Sequence, residues 1–187
     1  IKERSFFVSI HRHDQHFWPS TGLFDEGNDH IFNIPLFGKG FGDRDYLYIF
    51  HKVVLPLIAK INPKLLLIST GFNCARGDDL GSFDVTPKGG FGRMTELLLD
   101  TGIPVVMFLE GGYDVEMKNV ESPHESLCLS VEETVRACKK YCCGIDDAGE
   151  RKQKTKGREE TKEGVRTETV EIVDKIIQRM LEFNSLK

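Results

Sequence analysis

The chain has 187 residues, of which 40% are hydrophobic and 29% are charged, and its formal net charge is −4. This length and composition suit one packed soluble domain, and the slight acidic excess gives no electrostatic reason to expect a nucleic-acid-binding protein. No apolar run approaches the roughly eighteen residues of a transmembrane helix, and the first residues lack a signal-peptide pattern, so we expect an intracellular protein without a membrane partner.

Four apolar runs of strand length are rich in branched or aromatic residues and predict β-strands at Phe6–Ile10, Ile31–Leu36, Leu65–Ser69 and Val105–Leu109. Because these runs are almost continuously apolar, we expect strands that are buried on both faces, as in a parallel sheet. The first run begins close to the start of a chain that has no initiator Met. We therefore expect that the amino-terminal part of the domain is missing.

Helical spacing of apolar residues separates the strands. It predicts helices at Asp43–Lys60, Gly92–Leu99 and Ser126–Tyr141. Pro56 should kink the first of these helices or start a new turn. Alternation of strand and helix is typical of an α/β fold with helical crossovers between parallel strands.

A charged segment interrupts this pattern near the carboxyl end. Residues 144–168 mix acids and bases with little apolar content, which favours a disordered insertion over a partner-binding segment. Apolar residues then recur at helical spacing from Val170 to Leu181. We therefore predict three parts: a main domain at 1–143, the charged insertion at 144–168, and a closing amphipathic helix at 169–187.

Polar residues follow three of the predicted strands where each strand ends. The first strand leads into His11, His13 and His16, the third into residues 73–79, and the last into a double glycine at 111–112. Ligands of open parallel α/β sheets bind outside the carboxyl ends of the strands, so this convergence predicts a site. Each of these three segments also has a purely structural interpretation. The histidines could be hydrogen-bonded loop residues, the aspartates within 73–79 could cap a turn or a helix, and the double glycine could form a tight turn.

Four motifs in this order resemble the carboxyl-terminal half of the zinc-dependent histone deacetylase domain: SIHRHDQHFWPSTG, INPKLLLISTGFN, GDDLGSFDVTPKGGFGRM and LEGGYD. The stretch HKVVLPLIAKINPKLLLIS favours the class II branch, and the tyrosine after EGG argues against the vertebrate class IIa pattern. The resemblance implies an arginase-like α/β domain, with a parallel sheet flanked by helices. It also implies hydrolysis of N-acetyl-lysine to lysine and acetate, with zinc held by two aspartates and one histidine.

The same resemblance assigns expected roles to individual residues. Tyr113 matches the tyrosine that stabilises the tetrahedral oxyanion. Gly111 and Gly112 match glycines that let the backbone approach the substrate. The positions expected to bind the substrate along the acetyl-lysine tunnel are Phe17, Trp18 and Leu80.

The metal positions depart from the family pattern. Asn73 stands where the family has a zinc-binding aspartate, and a neutral amide oxygen stabilises zinc less than a carboxylate does. The family's other zinc ligands and its catalytic histidine pair precede the first strand, and none of the three histidines named above matches them. Ser9 and Ile10 match positions of a structural potassium site. We therefore expect that the chain can bind potassium and that its binding of zinc is weakened. We also expect that the chain is incomplete or inactive alone.

Three functions stay open at this point. The leading one is a histone deacetylase-like hydrolase of the nucleus or cytoplasm, acting on acetylated histone tails or other proteins, with corepressor-type partners. The alternative is a non-catalytic deacetylase-like module that binds protein partners or acetylated tails. Unrelated α/β chemistry that uses Asp78, Asp79 and Asp84 is a third, disfavoured because the family pattern already accounts for these acids.

Overall fold

The computed structural model describes residues 5–15, 17–112, 123–144 and 161–182. Its strands and α-helices follow one another as β1 (Phe7–Arg12), β2 (Ile31–Leu36), α1 (Asp43–Ile49), α2 (Leu55–Ile61), β3 (Leu66–Gly71), α3 (Arg93–Leu99), β4 (Val105–Glu110), α4 (Pro123–Cys143) and α5 (Thr167–Glu182). Strands and helices therefore alternate over most of the chain, as the sequence predicts.

The first predicted helix is continuous but irregular in the middle. A π-helical turn at Phe50–Val54 joins α1 to α2, and Pro56 lies in the first turn of α2. Proline has no backbone N–H to donate, and a wider turn just before it relieves the resulting gap in the hydrogen-bond ladder. A second π-helical turn, Pro87–Gly92, leads into α3. No helix in the described ranges is both long and apolar enough to cross a membrane.

The strands form parallel pairs. β1 pairs with β2, and β3 pairs with β4, over all six residues of each strand. Within the described part of the chain these pairs are two separate two-stranded parallel sheets, where the sequence predicted a parallel sheet. The difference arises because no described strand lies between the two pairs to hydrogen-bond with both.

The core is built around β2. Its side chains Phe32, Ile34 and Leu36 are buried, and α5 packs against this strand. On α5, Val173 and Ile176 have no exposed surface. The apolar residues of α5 therefore lie on one face of the helix, and this face packs against β2.

The predicted burial on both faces is wrong for β3 and β4, which bury only one face. Ile68 packs against the core, whereas Leu67 is 64% exposed and Phe108 is 51% exposed. On the covered side, Cys138 Sγ of α4 lies 3.9 Å from Met107 Sδ of β4. Helices thus cover one face of this pair, and apolar side chains remain exposed on the other.

Helix α5 begins at Thr167, where the sequence predicted residue 169. Just before it, the backbone N–H of Arg166 donates to the carboxylate of Asp45 at 3.0 Å, and the hydroxyl of Thr169 donates to the same oxygen at 2.7 Å. The guanidinium of Arg166 also lies over the ring of Phe41. These contacts fasten α5 to the start of α1. Residues 145–160 of the predicted insertion lie outside the described residues, and the predicted three-part division stays a prediction.

Candidate functional site

Arg12, the last residue of β1, contacts two of the loops that the sequence assigned to the site. Its Nε donates to Asp14 Oδ2 at 2.5 Å. Its Nη1 donates to the carbonyl oxygens of Leu80 and Gly81, each at 3.0 Å. The guanidinium carbon also lies 4.5 Å from the ring centroid of Phe17. One side chain therefore contacts both segments that were expected to line a substrate tunnel.

The carboxylate of Asp14 is held by two donors. Arg12 Nε bonds to one oxygen, and the backbone N–H of Gly38 donates to the other at 2.6 Å. Burial raises the pKa of Asp14, but the hydrogen bonds from Arg12 and Gly38 outweigh burial, so the pKa lies below its ordinary value. Asp14 therefore remains a charged partner for Arg12 near neutral pH.

His11, within β1, and His13, just after it, have structural contacts. Nε2 of His11 bonds to the carbonyl oxygen of Gly22 at 2.9 Å, so this nitrogen must carry the proton. The hydroxyl of Ser9 then donates to Nδ1 of His11 at 2.9 Å. Desolvation lowers the pKa of His11, which favours this neutral form. His13 packs edge-on against Phe37.

Asn73, after β3, meets the glycine pair after β4. Its Oδ1 accepts the backbone N–H of Gly112 at 3.0 Å. A Cβ on Gly111 would lie 2.1 Å from this oxygen, and one on Gly81 would lie 1.6 Å from the carbonyl oxygen of Asn73. Side chains at these positions would collide with Asn73, so the close approach requires glycine. The loops after β3 and β4 therefore converge, as the sequence predicts.

The residues expected to bind substrate present apolar surface to solvent. Trp18 is 86% exposed and Leu80 is 62% exposed, while Phe17 is partly buried beneath Arg12. We call Phe17, Trp18 and Leu80 the acyl-lysine wall, after the role that the resemblance predicts for them, and this role stays a prediction. Tyr113 and His16 lie outside the described residues, so the role expected of Tyr113 stays a prediction.

The described residues do not by themselves fit a zinc site. Within them, no group of three or more His, Cys, Asp or Glu side chains is arranged to hold a metal ion. Asn73 offers only a neutral amide oxygen, which already bonds to Gly112, and this is a poorer zinc ligand than a carboxylate. Ser9 and Ile10 lie within β1, and potassium binding at these two positions stays a prediction.

The aspartates between β3 and α3 have structural contacts. Asp78 Oδ1 accepts the backbone N–H of Gly81 at 2.6 Å. Asp84 forms an ion pair with Arg76 at 2.5 Å, and the carbonyl oxygen of Asp79 accepts a serine hydroxyl in the same turn. These contacts shape the turn that carries Leu80, one of the three residues of the acyl-lysine wall. They give no support to separate chemistry at a carboxylate cluster.

No motif or spacing in the sequence indicates the role of Arg12. Its two carbonyl acceptors lie 68 and 69 residues away in the chain. Every residue has a backbone carbonyl, so this contact leaves no pattern of residue types. The acid two positions later, Asp14, is the local signal that could have indicated a fixed arginine.

Comparison with known sequences shows the family. The model of the histone deacetylase domain matches residues 2–127. Histone deacetylase 15 of Arabidopsis thaliana is 43% identical over 116 residues, which cover 58% of this chain and 21% of that protein. Histone deacetylase 7 of Homo sapiens is 39% identical over 121 residues, which cover 58% of this chain and 13% of that protein.

Solved structures agree with the sequence comparison. The crystal structure of the HDA15 HD domain superposes with a TM-score of 0.70 at 31% identity, covering 95% of this chain and 44% of that one. The structure of the histone deacetylase Clr3 gives a TM-score of 0.72 at 27% identity, covering 95% of this chain and 27% of that one. The chain thus spans less than half of each of these relatives. The predicted arginase/deacetylase-like α/β fold and the class II-like relationship are confirmed, and this chain belongs to the histone deacetylase family.

Proposed function

We propose that this chain forms the N-acetyl-lysine-binding wall of a deacetylase that acts on histone tails or other acetylated proteins. The observation that carries the proposal is the convergence of loops that leave parallel strands, with Arg12 contacting two of them and Asn73 contacting a third. Such strand ends are the usual binding edge of α/β folds. The exposed apolar side chains of the acyl-lysine wall suit the aliphatic stem of an acetylated lysine.

The proposed reaction breaks the amide C–N bond of N-acetyl-lysine and adds water, which gives acetate and the free lysine amine. The acyl-lysine wall would hold the lysine stem by apolar contact and would exclude bulk water from the amide. The hydroxyl of Tyr113 would donate a hydrogen bond to the oxyanion that develops on the carbonyl. Gly111 and Gly112 would let the backbone approach the acetyl group closely.

Asn73 favours a second candidate function, binding without hydrolysis. A neutral amide at the position of a family zinc ligand lowers the affinity of the site for zinc, but leaves the apolar wall intact. A non-catalytic module of this kind would bind acetylated tails or corepressor-type protein partners. Both candidates act on acetylated proteins of the nucleus or the cytoplasm.

The two candidates are separated by the variant Asn73→Asp in the full-length protein. If the protein is a deacetylase limited by Asn73, this variant should bind zinc more tightly and turn over a fluorogenic acetyl-lysine peptide roughly tenfold faster, or about 1.4 kcal/mol in barrier. Zinc content is measured by metal analysis on the same samples. Asn62→Asp is the matched control, because Asn62 caps the end of α2, outside the site, and this substitution introduces the same charge.

Each outcome of this experiment is informative. Binding of an acetylated peptide without turnover in either Asn73 form would support the non-catalytic module. Full zinc occupancy and rapid turnover that Asn73→Asp does not change would show that Asn73 is not a ligand position. If neither form bound acetyl-lysine, the proposed wall would be refuted.

A further inference from the structure

We infer that Arg12 is a positioning residue. It holds the Phe17–Trp18 loop and the Leu80 turn together as one ligand-binding surface. The inference rests on the proposed function, because that surface is the acyl-lysine wall. Arg12 would not touch the reacting amide. It would instead set the distance between the two halves of the wall.

The geometry uses features that are specific to arginine. Its N–H groups point outward in the plane of the guanidinium, which lets it donate to Asp14 and to two carbonyl oxygens of the Leu80 turn. The flat face of the same group remains available and covers the ring of Phe17. An ammonium group has three N–H donors and no flat face, so lysine could not donate to all three oxygens and also lie flat on the ring of Phe17.

The acyl-lysine wall depends on contacts such as those of Arg12, because its own residues are poorly packed. Trp18 and Leu80 are largely exposed, so burial in the core does not hold either side chain in place. The side chain of Arg12 is only 13% exposed, and its bonds to Asp14 and to the carbonyl oxygen of Gly81 are partly buried, whereas its bond to the carbonyl oxygen of Leu80 lies at the surface. Arg12 therefore holds the backbone of the Leu80 turn and the ring of Phe17, the residue before Trp18.

Arg12 and its partner Asp14 are themselves held at the ends of β1 and β2. Arg12 ends β1, and its partner Asp14 accepts the backbone N–H of Gly38, which lies just beyond β2. The wall is thus connected to the ends of two paired strands. A surface held on rigid strands keeps its shape for a ligand better than one held on loops alone.

Trp18 makes the inference measurable, because it is the only tryptophan of the chain. Its fluorescence anisotropy decay and its quenching by acrylamide report on the mobility and exposure of the wall. Arg12→Lys should lower the anisotropy of Trp18, increase quenching and weaken binding of a tryptophan-free N-acetyl-lysine peptide roughly fivefold. Arg76→Lys is the matched control, since Arg76 pairs with Asp84 at the same 2.5 Å but is bonded to no wall residue.

Native circular dichroism with unchanged Trp18 fluorescence in Arg12→Lys would overturn the inference. If Arg12→Lys does not fold, Asp14→Asn tests the same point, because it keeps an acceptor for Gly38 and removes the charge that faces Arg12. Asp14→Asn should mobilise Trp18 to a smaller extent, and no change would again refute the inference. If Trp18 loosens but the unaltered protein does not bind the acetylated peptide, the proposed function fails and the role of Arg12 stands.

Discussion

The side-chain oxygen of Asn73 and the backbone N–H of Gly112 are joined by a hydrogen bond of 3.0 Å. This bond connects the loop after β3 to the loop after β4. Gly111, which has a positive φ of 61°, lies against the same oxygen. The contact between the two loops therefore depends on glycine at position 111 as well as on the side-chain oxygen of Asn73.

Gly111→Ala should destabilise the protein more than Gly102→Ala does. Both glycines have positive φ, so alanine costs about 1 kcal/mol of backbone strain at each position. A Cβ on Gly111 would also meet Asn73 Oδ1 at 2.1 Å, whereas one on Gly102 would meet no atom within 4 Å. We expect the collision to add about 1–3 kcal/mol in urea unfolding, and equal losses for the two variants would contradict this arrangement.

Thr169→Val should lower the free energy of unfolding by about 1–2 kcal/mol. Valine keeps the shape of the side chain but removes the hydroxyl that donates to the buried carboxylate of Asp45. Thr169→Ser is the control, since it keeps the hydroxyl. Chemical denaturation of all three proteins provides the comparison, and a valine variant as stable as the parent would show that this bond does not hold α5.

The stability of the protein should fall below about pH 6.5 because of His11. Desolvation lowers the folded-state pKa of His11 from its ordinary value of 6.5. The unfolded chain therefore binds the proton first as the pH falls, and stability decreases between pH 6.5 and the lower folded-state pKa.

His11→Gln provides the test of this pH dependence. Glutamine does not titrate, and its side-chain amide can still donate to the carbonyl oxygen of Gly22. Urea midpoints measured from pH 5 to pH 8 should converge for the two proteins at low pH and separate at high pH. A parallel pH dependence in both proteins would assign the effect to other groups.

The exposed face of β3 and β4 should bind a hydrophobic dye. Leu67→Lys combined with Phe108→Lys should reduce the fluorescence of bound dye, with little loss of stability, because both side chains are more than half exposed. Ile176→Ala is the contrasting variant, since Ile176 is fully buried and its truncation should cost about 2–5 kcal/mol. Unchanged dye binding in the double lysine variant would place the dye elsewhere.

Much of the local structure follows from the sequence because it depends on local patterns. Branched apolar runs predict all four described strands, and apolar spacing predicts the helices between them. The meeting of Asn73 with the glycine pair also follows from a general rule, since loops that leave parallel strands share one edge of the sheet.

The tertiary structure alone decided what covers each strand and what holds each loop. Periodicity indicates that β3 and β4 are apolar, but their burial depends on which helices pack over them, and here helices cover one face. The role of Arg12 depends on carbonyl oxygens of a distant turn, which every residue type offers equally. Which distant carbonyl oxygens accept from Arg12, those of Leu80 and Gly81, is decided only when folding brings the two segments together.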